Sequence, residues 1–408
     1  MLPDIYFFNP TCEPAIANGS IFYTAPTRLR KLEEDLSYLP AWLASEKDIV
    51  LVQGEIDSTY LSKMLESGFK LPGMVQLKRV LSDPSWLQQP KGSLLPWGWS
   101  PATYKLFGQV IAGCGEDFRG SVMASWQEGH KALYSRLTGI GLLKDILEMH
   151  SFSWLPAASE LAIVCHSIEQ IRGEINRHES AVVKSPWSSS GRGLLLFPNP
   201  DSRKKNEEVL SGMLKQQGFV SVEPWLNKII DLSYQFYSKD GIIVYKGRTF
   251  FETDPKGRYL RNYLADFPET TAAVSGFLRE HDSEVIAVIQ SALSRSEYAR
   301  TYQGWIGVDS LVYREENGEL KIQPIVEING RFTMGAIALK LREKLAEGSK
   351  GHFQIHFSTT NSFLKFAQKQ EAEKPLILRD GKIASGFLPL TPPLETNQFG
   401  AFLVAETY

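Results

Sequence analysis

Glu327-Ile328-Asn329-Gly330-Arg331 is the stretch on which the reading of this chain turns. Successive side chains of an extended strand point to opposite faces, so alternation sets the Glu327 carboxylate, the Asn329 amide and the Arg331 guanidinium on one face. That face suits a divalent cation and the polyphosphate it neutralises.

Its complement lies upstream. Lys184 ends the apolar run Ala181-Val182-Val183 and is followed by Ser185-Pro186-Trp187-Ser188-Ser189-Ser190-Gly191-Arg192-Gly193. Serines and glycines let backbone N–H groups turn inward toward an anion, and a lysine at the loop's root supplies a point charge for phosphate oxygens. With apolar runs on both sides, the loop reads as a hairpin flap. It is not a Walker loop, and Gly191-x-Gly193 lacks the third glycine of a dinucleotide fingerprint. Cradle, lysine and acidic strand together suggest a nucleoside triphosphate site.

The cation ligands depend on register. Asp309 lies in an apolar run that precedes Asn317-Gly318, a turn signal, and the returning run carries Glu327 and Asn329. A two-residue turn at Asn317-Gly318 pairs Asp309 with Val326 and puts Glu327 on the other face. A three-residue loop, or an equivalent bulge, sets Asp309 across from Glu327. Pro324 has no N–H for a ladder, which makes irregularity plausible there. An oxygen-only set of Asp309, Glu327 and Asn329 suits magnesium. A third piece is Glu223-Pro224-Trp225-Leu226, an apolar crossing whose backbone can meet an adenine edge while Trp225 and Leu226 shield the ring, with Asp231 placed to accept from ribose hydroxyls.

A chain of 408 residues exceeds what one core usually serves, so two or three units are expected, and a 43% hydrophobic content is ordinary. Lys and Arg number 44 against 46 Asp and Glu, and this net charge of -2 argues against affinity for nucleic-acid phosphates. Cys12, Cys114 and Cys165 are few, scattered and odd in number, so neither a disulfide framework nor a zinc cluster is indicated. No run approaches a membrane span, and Met1-Leu2-Pro3-Asp4 does not resemble a secretory signal. A reducing, cytoplasmic setting is expected.

Along the chain, apolar runs at 4–10 and 48–52 flank helical periodicity over 28–43, a strand, helix, strand unit that implies an α/β amino-terminal domain. Ser100-Pro101 reads as an N-cap and first helical residue, opening a helical stretch to about 150 with breaks at glycines. Short apolar runs and a helix at 203–217 make a small α+β unit over 155–225. Strands follow near 232–237, 242–245, 306–313 and 322–328, with helices near 270–278, 283–293 and 336–345. Asp380-Gly381 sits in a hairpin-like context within an accessory tail.

In this order, the pieces resemble the ATP-grasp superfamily over about residues 130–340. The resemblance implies a multidomain α/β and α+β protein: a Rossmann-like pre-ATP-grasp domain over 1–115, a helical connection and small lid subdomain over 116–225, and a carboxyl-terminal ATP-grasp subdomain with accessory tail over 226–408. It implies ATP and Mg as cofactors, with Lys184 on the phosphates, Ser188, Ser189, Ser190, Gly191 and Gly193 covering them, and Glu223, Trp225, Leu226 and Asp231 around the nucleoside. Asp309, Glu327 and Asn329 then hold magnesium, and Arg331 joins Lys184 as a catalytic group beside the transferred phosphate, where a fixed guanidinium stabilises developing charge. Arg136, Lys131 and Lys144 compete for the role of second phosphate-binding base, and Arg136 is the choice. Arg258, in a basic cluster, is the candidate for binding an acceptor carboxylate.

Most such enzymes turn a carboxylate into an acyl phosphate for attack by an amine or similar nucleophile, so the partners expected are two small molecules, with no nucleic acid and no membrane. A homo-oligomer stays open. A phosphate-transferring kinase and a non-catalytic nucleotide-binding regulator are the rival readings. His352 and His356 alternate within a strand pattern and stand roughly 13 Å apart, too far to share a metal. With no Gly-x-Ser-x-Gly elbow, serine hydrolysis is not indicated.

Overall fold

The structure, a computed structural model, describes residues 2–188, 191–199, 206–265, 270–360 and 362–407. Two compact units divide the chain: one is Met1–Trp126, Arg261–Asp266 and Arg331–Tyr408, the other Gln127–Leu260 and Phe267–Gly330. The division does not follow chain order, since residues beyond 330 return to the unit that holds the amino terminus. Among the described residues no helix is long and apolar enough to cross a membrane.

The first unit holds a parallel sheet in the order Gly73–Gln76, Ile49–Val52, Ile5–Phe7, Leu94–Pro96. Its central strands read as unbroken apolar runs because both faces are covered; Ile5, Val50, Leu51 and Val52 are all buried. Ser100 caps the helix Pro101–Ala112 by accepting from the Thr103 N–H at 3.2 Å, as its Ser-Pro start leads one to expect. The periodicity over 28–43 resolves into a helix Thr27–Asp35 and a 3₁₀ turn Leu39–Trp42. Pro40, which cannot donate to a helical ladder, explains the interruption.

An antiparallel sheet completes this unit. Ser349–Phe357 pairs with Phe399–Thr407, which pairs with Lys382–Pro389, which pairs in turn with Ile377–Arg379. Asp380 and Gly381, at φ of 54° and 73°, make the two-residue left-handed turn between Arg379 and Lys382. The tail is bound into the unit: Trp42 Nε1 donates to the Leu390 carbonyl at 2.8 Å, and Asp35 Oδ2 accepts from the Gln398 and Phe399 N–H groups at 2.9 and 3.1 Å.

The second unit begins with a small antiparallel sheet ordered Ile163–Cys165, Val220–Pro224, Ala181–Lys184, Leu194–Phe197. Helices Ile168–Ile175 and Glu207–Gln217 bury Ile171, Ile175 and Leu210 against Val183, Phe197 and Val222. The helix expected from 203 is described from Glu207; residues 203–205 lie outside the described set.

Four long antiparallel strands follow in the order Leu320–Asn329, Gly304–Arg314, Lys228–Lys239, Ile242–Thr253. Leu232, Tyr234, Phe236, Ile306 and Val308 bury one face, where Tyr234 donates to Asp282 at 2.9 Å and Gln290 to the Ile243 carbonyl at 2.9 Å. Both partners belong to a single helix, Ala272–Arg295, in place of the two expected over 270–278 and 283–293. The polar stretch between those expected helices continues the helix rather than breaking it, since Glu, Arg and His do not terminate one and Asp282 is held to the sheet by Tyr234. Helix Arg136–Met149 packs on the same sheet through Gly139, where an added Cβ would stand 3.5 Å from Ile325.

Candidate functional site

The opposite face of the four-stranded sheet is polar and built in rows. Asp309 pairs with Ser233 on one side and Glu327 on the other, and Thr249 pairs with Ser233, so Thr249, Ser233, Asp309 and Glu327 form one row. Gln235, Gly307 and Asn329 form the next. Direct cross-strand partners share a face with Cβ atoms about 4.5–5.5 Å apart, which is why register alone brings these groups together.

A bulge delivers that register. Arg314 pairs with Leu320, leaving residues 315 to 319 in the loop, and Leu311 pairs with Gln323. Asp309 nevertheless opposes Glu327, so two steps along one strand match four along the other. The excess falls at Pro324, whose carbonyl accepts from Ser310 Oγ at 2.7 Å. Of the two routes open from sequence, the bulge is the one used, with Gly318 left-handed at φ 90° in the longer loop.

Hydrogen bonds lock the row. Ser233 Oγ donates to Asp309 Oδ1 at 2.7 Å, Gln235 Nε2 to Ser233 Oγ at 2.8 Å, and Asn329 Nδ2 to Asp309 Oδ2 at 3.1 Å. Sequence reading missed Ser233 and Gln235, although both are buried polar residues (3% and 0% exposed). Their signal was the alternation Asp231-Leu232-Ser233-Tyr234-Gln235, polar at every second place in an otherwise apolar strand. Thr249, 3% exposed, has a buried Oγ1 with no hydrogen-bond partner among the described residues. An orphaned hydroxyl carries a free-energy penalty of about 1–3 kcal/mol unless something else meets it.

These residues fit a magnesium ion that arrives with phosphate. Asp309, Glu327 and Asn329 offer hard oxygens, and the Asn329 N–H bond to Asp309 turns the amide oxygen away from that carboxylate. Among the described residues no three His, Cys, Asp or Glu side chains group closely enough to hold a metal by themselves. Two carboxylates and an amide instead match magnesium's habit of keeping phosphate and water oxygens in its shell.

Arg136 joins this face to the loop. Its guanidinium Nη2 lies 3.1 Å from Glu327 Oε1 and donates to Ser188 Oγ at 3.2 Å, while Nε donates to the Ser185 carbonyl at 3.0 Å. It occupies the first position of its helix, with Ser135 as the N-cap. Lys131 sits over the Trp187 ring at 4.8 Å and Lys144 pairs with Glu148 at 3.6 Å, so of the three candidate bases Arg136 is the one bonded to both loop and acidic strand.

Lys184 is 5% exposed at the end of its strand and forms an ion pair with Glu223 on the neighbouring strand. Gly193 stands opposite the next residue, Ser185, whose N–H donates to its carbonyl at 2.9 Å, and it admits no side chain: an added Cβ would meet Ser188 at 2.4 Å and Ser185 at 3.0 Å. Gly191, at φ 72°, packs on the Gly257 carbonyl and Arg258. Ser189 and Ser190 lie outside the described residues.

At the hinge, the Trp225 N–H donates to the Ser180 carbonyl at 2.9 Å and the Leu226 carbonyl accepts from the Lys228 N–H at 2.8 Å. Asp231 accepts from Lys228 Nζ at 2.5 Å and Thr253 Oγ1 at 2.9 Å, and burial raises its pKa despite the nearby ammonium. Arg258 is committed to Asp254, with contacts of 2.6 and 2.7 Å that a carboxylate ligand would have to displace. Arg331 belongs to the first unit, where Glu13 holds its Nε and its Nη1 donates to the Phe332 carbonyl at 3.1 Å. Glu13, buried just after the first strand, carried no sequence signal of this role.

The fold is that of ATP-grasp enzymes. The chain is similar to N5-carboxyaminoimidazole synthetase from Staphylococcus aureus (11% identity, TM-score 0.51, 100% of this chain and 93% of that one). It is also similar to the biotin carboxylase domain of Hydrogenobacter thermophilus 2-oxoglutarate carboxylase, solved with MgADP, ADP and bicarbonate (11% identity, TM-score 0.53, 99% and 86%). A third is an N5-carboxyaminoimidazole ribonucleotide synthetase solved with ADP (10% identity, TM-score 0.51, 99% and 93%). No protein-family profile matches the sequence, and no curated protein matches it. At these identities the likeness is one of fold, and function has to be argued from the site.

Proposed function

We infer that the chain is an ATP- and magnesium-dependent ligase that activates a carboxylate as an acyl phosphate for attack by an amine or similar nucleophile. The observation that carries this is the row Ser233, Asp309, Glu327 with Asn329 beside it, joined by Arg136 to the serine and glycine loop that Lys184 roots. Magnesium, when bound, supplies positive charge that neutralises phosphate oxygens and withdraws electron density from phosphorus.

Lys184 and Arg136 supply fixed positive charge for the oxygens that gain electron density, and loop N–H groups cradle the phosphates and limit water. A carboxylate oxygen attacks the γ-phosphorus and the bond to the β-phosphate oxygen breaks, giving acyl phosphate and ADP. The amine lone pair then attacks the acyl carbon, the bond to phosphate breaks, and the amine's proton leaves with solvent or base. Positioning and charge neutralisation are the protein's main contributions to such transfers.

Incubating the protein with ATP, magnesium and a panel of amino acids and small carboxylic acids tests this reading. Magnesium-dependent ADP release that requires one of the acids is expected. ADP release that every acid leaves unchanged contradicts it.

A further inference from the structure

A cavity of about 470 Å³ lies within the first unit, between the strand Ser349–Phe357 and the helix Phe363–Glu373. That volume falls in the range of small-molecule sites, about 300–1,000 Å³. The sheet lines it with His352, Gln354 and His356, spaced two apart on one face, and with Phe402 and Val404 from the paired strand. The helix side contributes Phe366, Gln370 and Lys374, four apart and therefore on one side. None of these residues belongs to the nucleotide site described above.

Three observations define what the cavity would hold. No aspartate or glutamate lines it, and among the described residues no carboxylate pairs with the Lys374 ammonium. Gln370 Nε2 donates to Glu373 at 3.2 Å, which fixes the amide beside the lysine. The His356 ring stacks on Phe366 at 4.2 Å, away from the Lys374 end. Lys374 directly follows the helix and comes eight residues after Phe366, roughly 12 Å along it. The cavity is thus cationic at one end and aromatic at the other.

We propose that this cavity binds an organic acid with an apolar body, its carboxylate at Lys374 and its body along Phe366 and Phe402. The proposal does not rest on the ligase reading, because it uses none of the same residues.

Titration calorimetry of the full chain with 3-phenylpropionate and 3-phenylpropylamine tests it. The acid is expected to bind with Kd below about 1 mM and the amine not at all. Lys374→Glu, at an exposed position, should leave the unfolding midpoint unchanged and weaken the acid about tenfold or more. Absence of acid binding at roughly 10 mM, about −2.7 kcal/mol, equal binding of acid and amine, or indifference to Lys374→Glu overturns the proposal.

Discussion

Arg136 Nη2 stands 3.1 Å from Glu327 Oε1, so one guanidinium at the start of a helix is tied to a carboxylate near the end of the strand Leu320–Asn329. The same nitrogen reaches Ser188 at 3.2 Å, which couples the floor of the site to its loop. Arg136→Ala is expected to lower magnesium-dependent ADP release by about 10²–10³, the range for losing a preorganised charge. Arg136→Lys should not restore it, because a single ammonium cannot serve the serine, the carbonyl and the carboxylate together. Steady-state ADP release by both variants checks this, and full activity in Arg136→Ala contradicts the assigned role.

Ser310 holds the bulge that puts Asp309 opposite Glu327, through its hydrogen bond to the buried Pro324 carbonyl. Ser310→Ala leaves that carbonyl without its donor, at about 1–3 kcal/mol. Denaturant titration should show that loss, together with a higher magnesium requirement for nucleotide binding. Lost stability with an unchanged magnesium requirement would separate the bulge from the site.

Gly193 sits where an added methyl would be 2.4 Å from Ser188. Gly193→Ala forces the hairpin apart at its base, and ATP affinity is expected to fall about tenfold while the unfolding midpoint moves only slightly, since the hairpin's apolar core residues are untouched. Equal ATP affinity in both proteins, read by calorimetry, would show that the loop does not cover the phosphates.

His130 is buried, accepts from the Gln127 N–H at Nδ1 (3.2 Å) and has Nε2 at 3.0 Å from the Thr301 carbonyl. Only the neutral ring, with its proton on Nε2, satisfies both, and burial lowers its pKa. The unfolded chain therefore binds the proton more readily, near its ordinary value of about 6.5, and stability drops as pH falls through and below that value. Unfolding free energies at pH 7 and pH 5 should differ accordingly, and His130→Gln should flatten the difference.

Buried elements were the readable ones. Val50 to Val52 and Ala181 to Val183 are apolar runs because both faces of their strands are covered, and Ser100 with Pro101 marks a helix start by local chemistry. That Glu327 and Asn329 share a face was legible because alternation alone places them there, and the structure sets Asp309 on the same face. Register was not: a bulge at Pro324 sums contributions that no local pattern fixes, and sequence left two routes open. Side-chain partners were equally hidden, whether distant or near in sequence. Glu13 holds Arg331 across 318 positions, and Asp254 engages Arg258 through a turn that composition alone reads as a solvated basic cluster.

ATP binding measured by calorimetry with and without magnesium, on the natural sequence and on Glu327→Gln, tests the central claim most directly. Binding by the natural sequence is expected to strengthen at least tenfold with magnesium, and Glu327→Gln should lose that gain while keeping its unfolding midpoint. Equal magnesium dependence in both proteins, or no ATP binding by either, would contradict it.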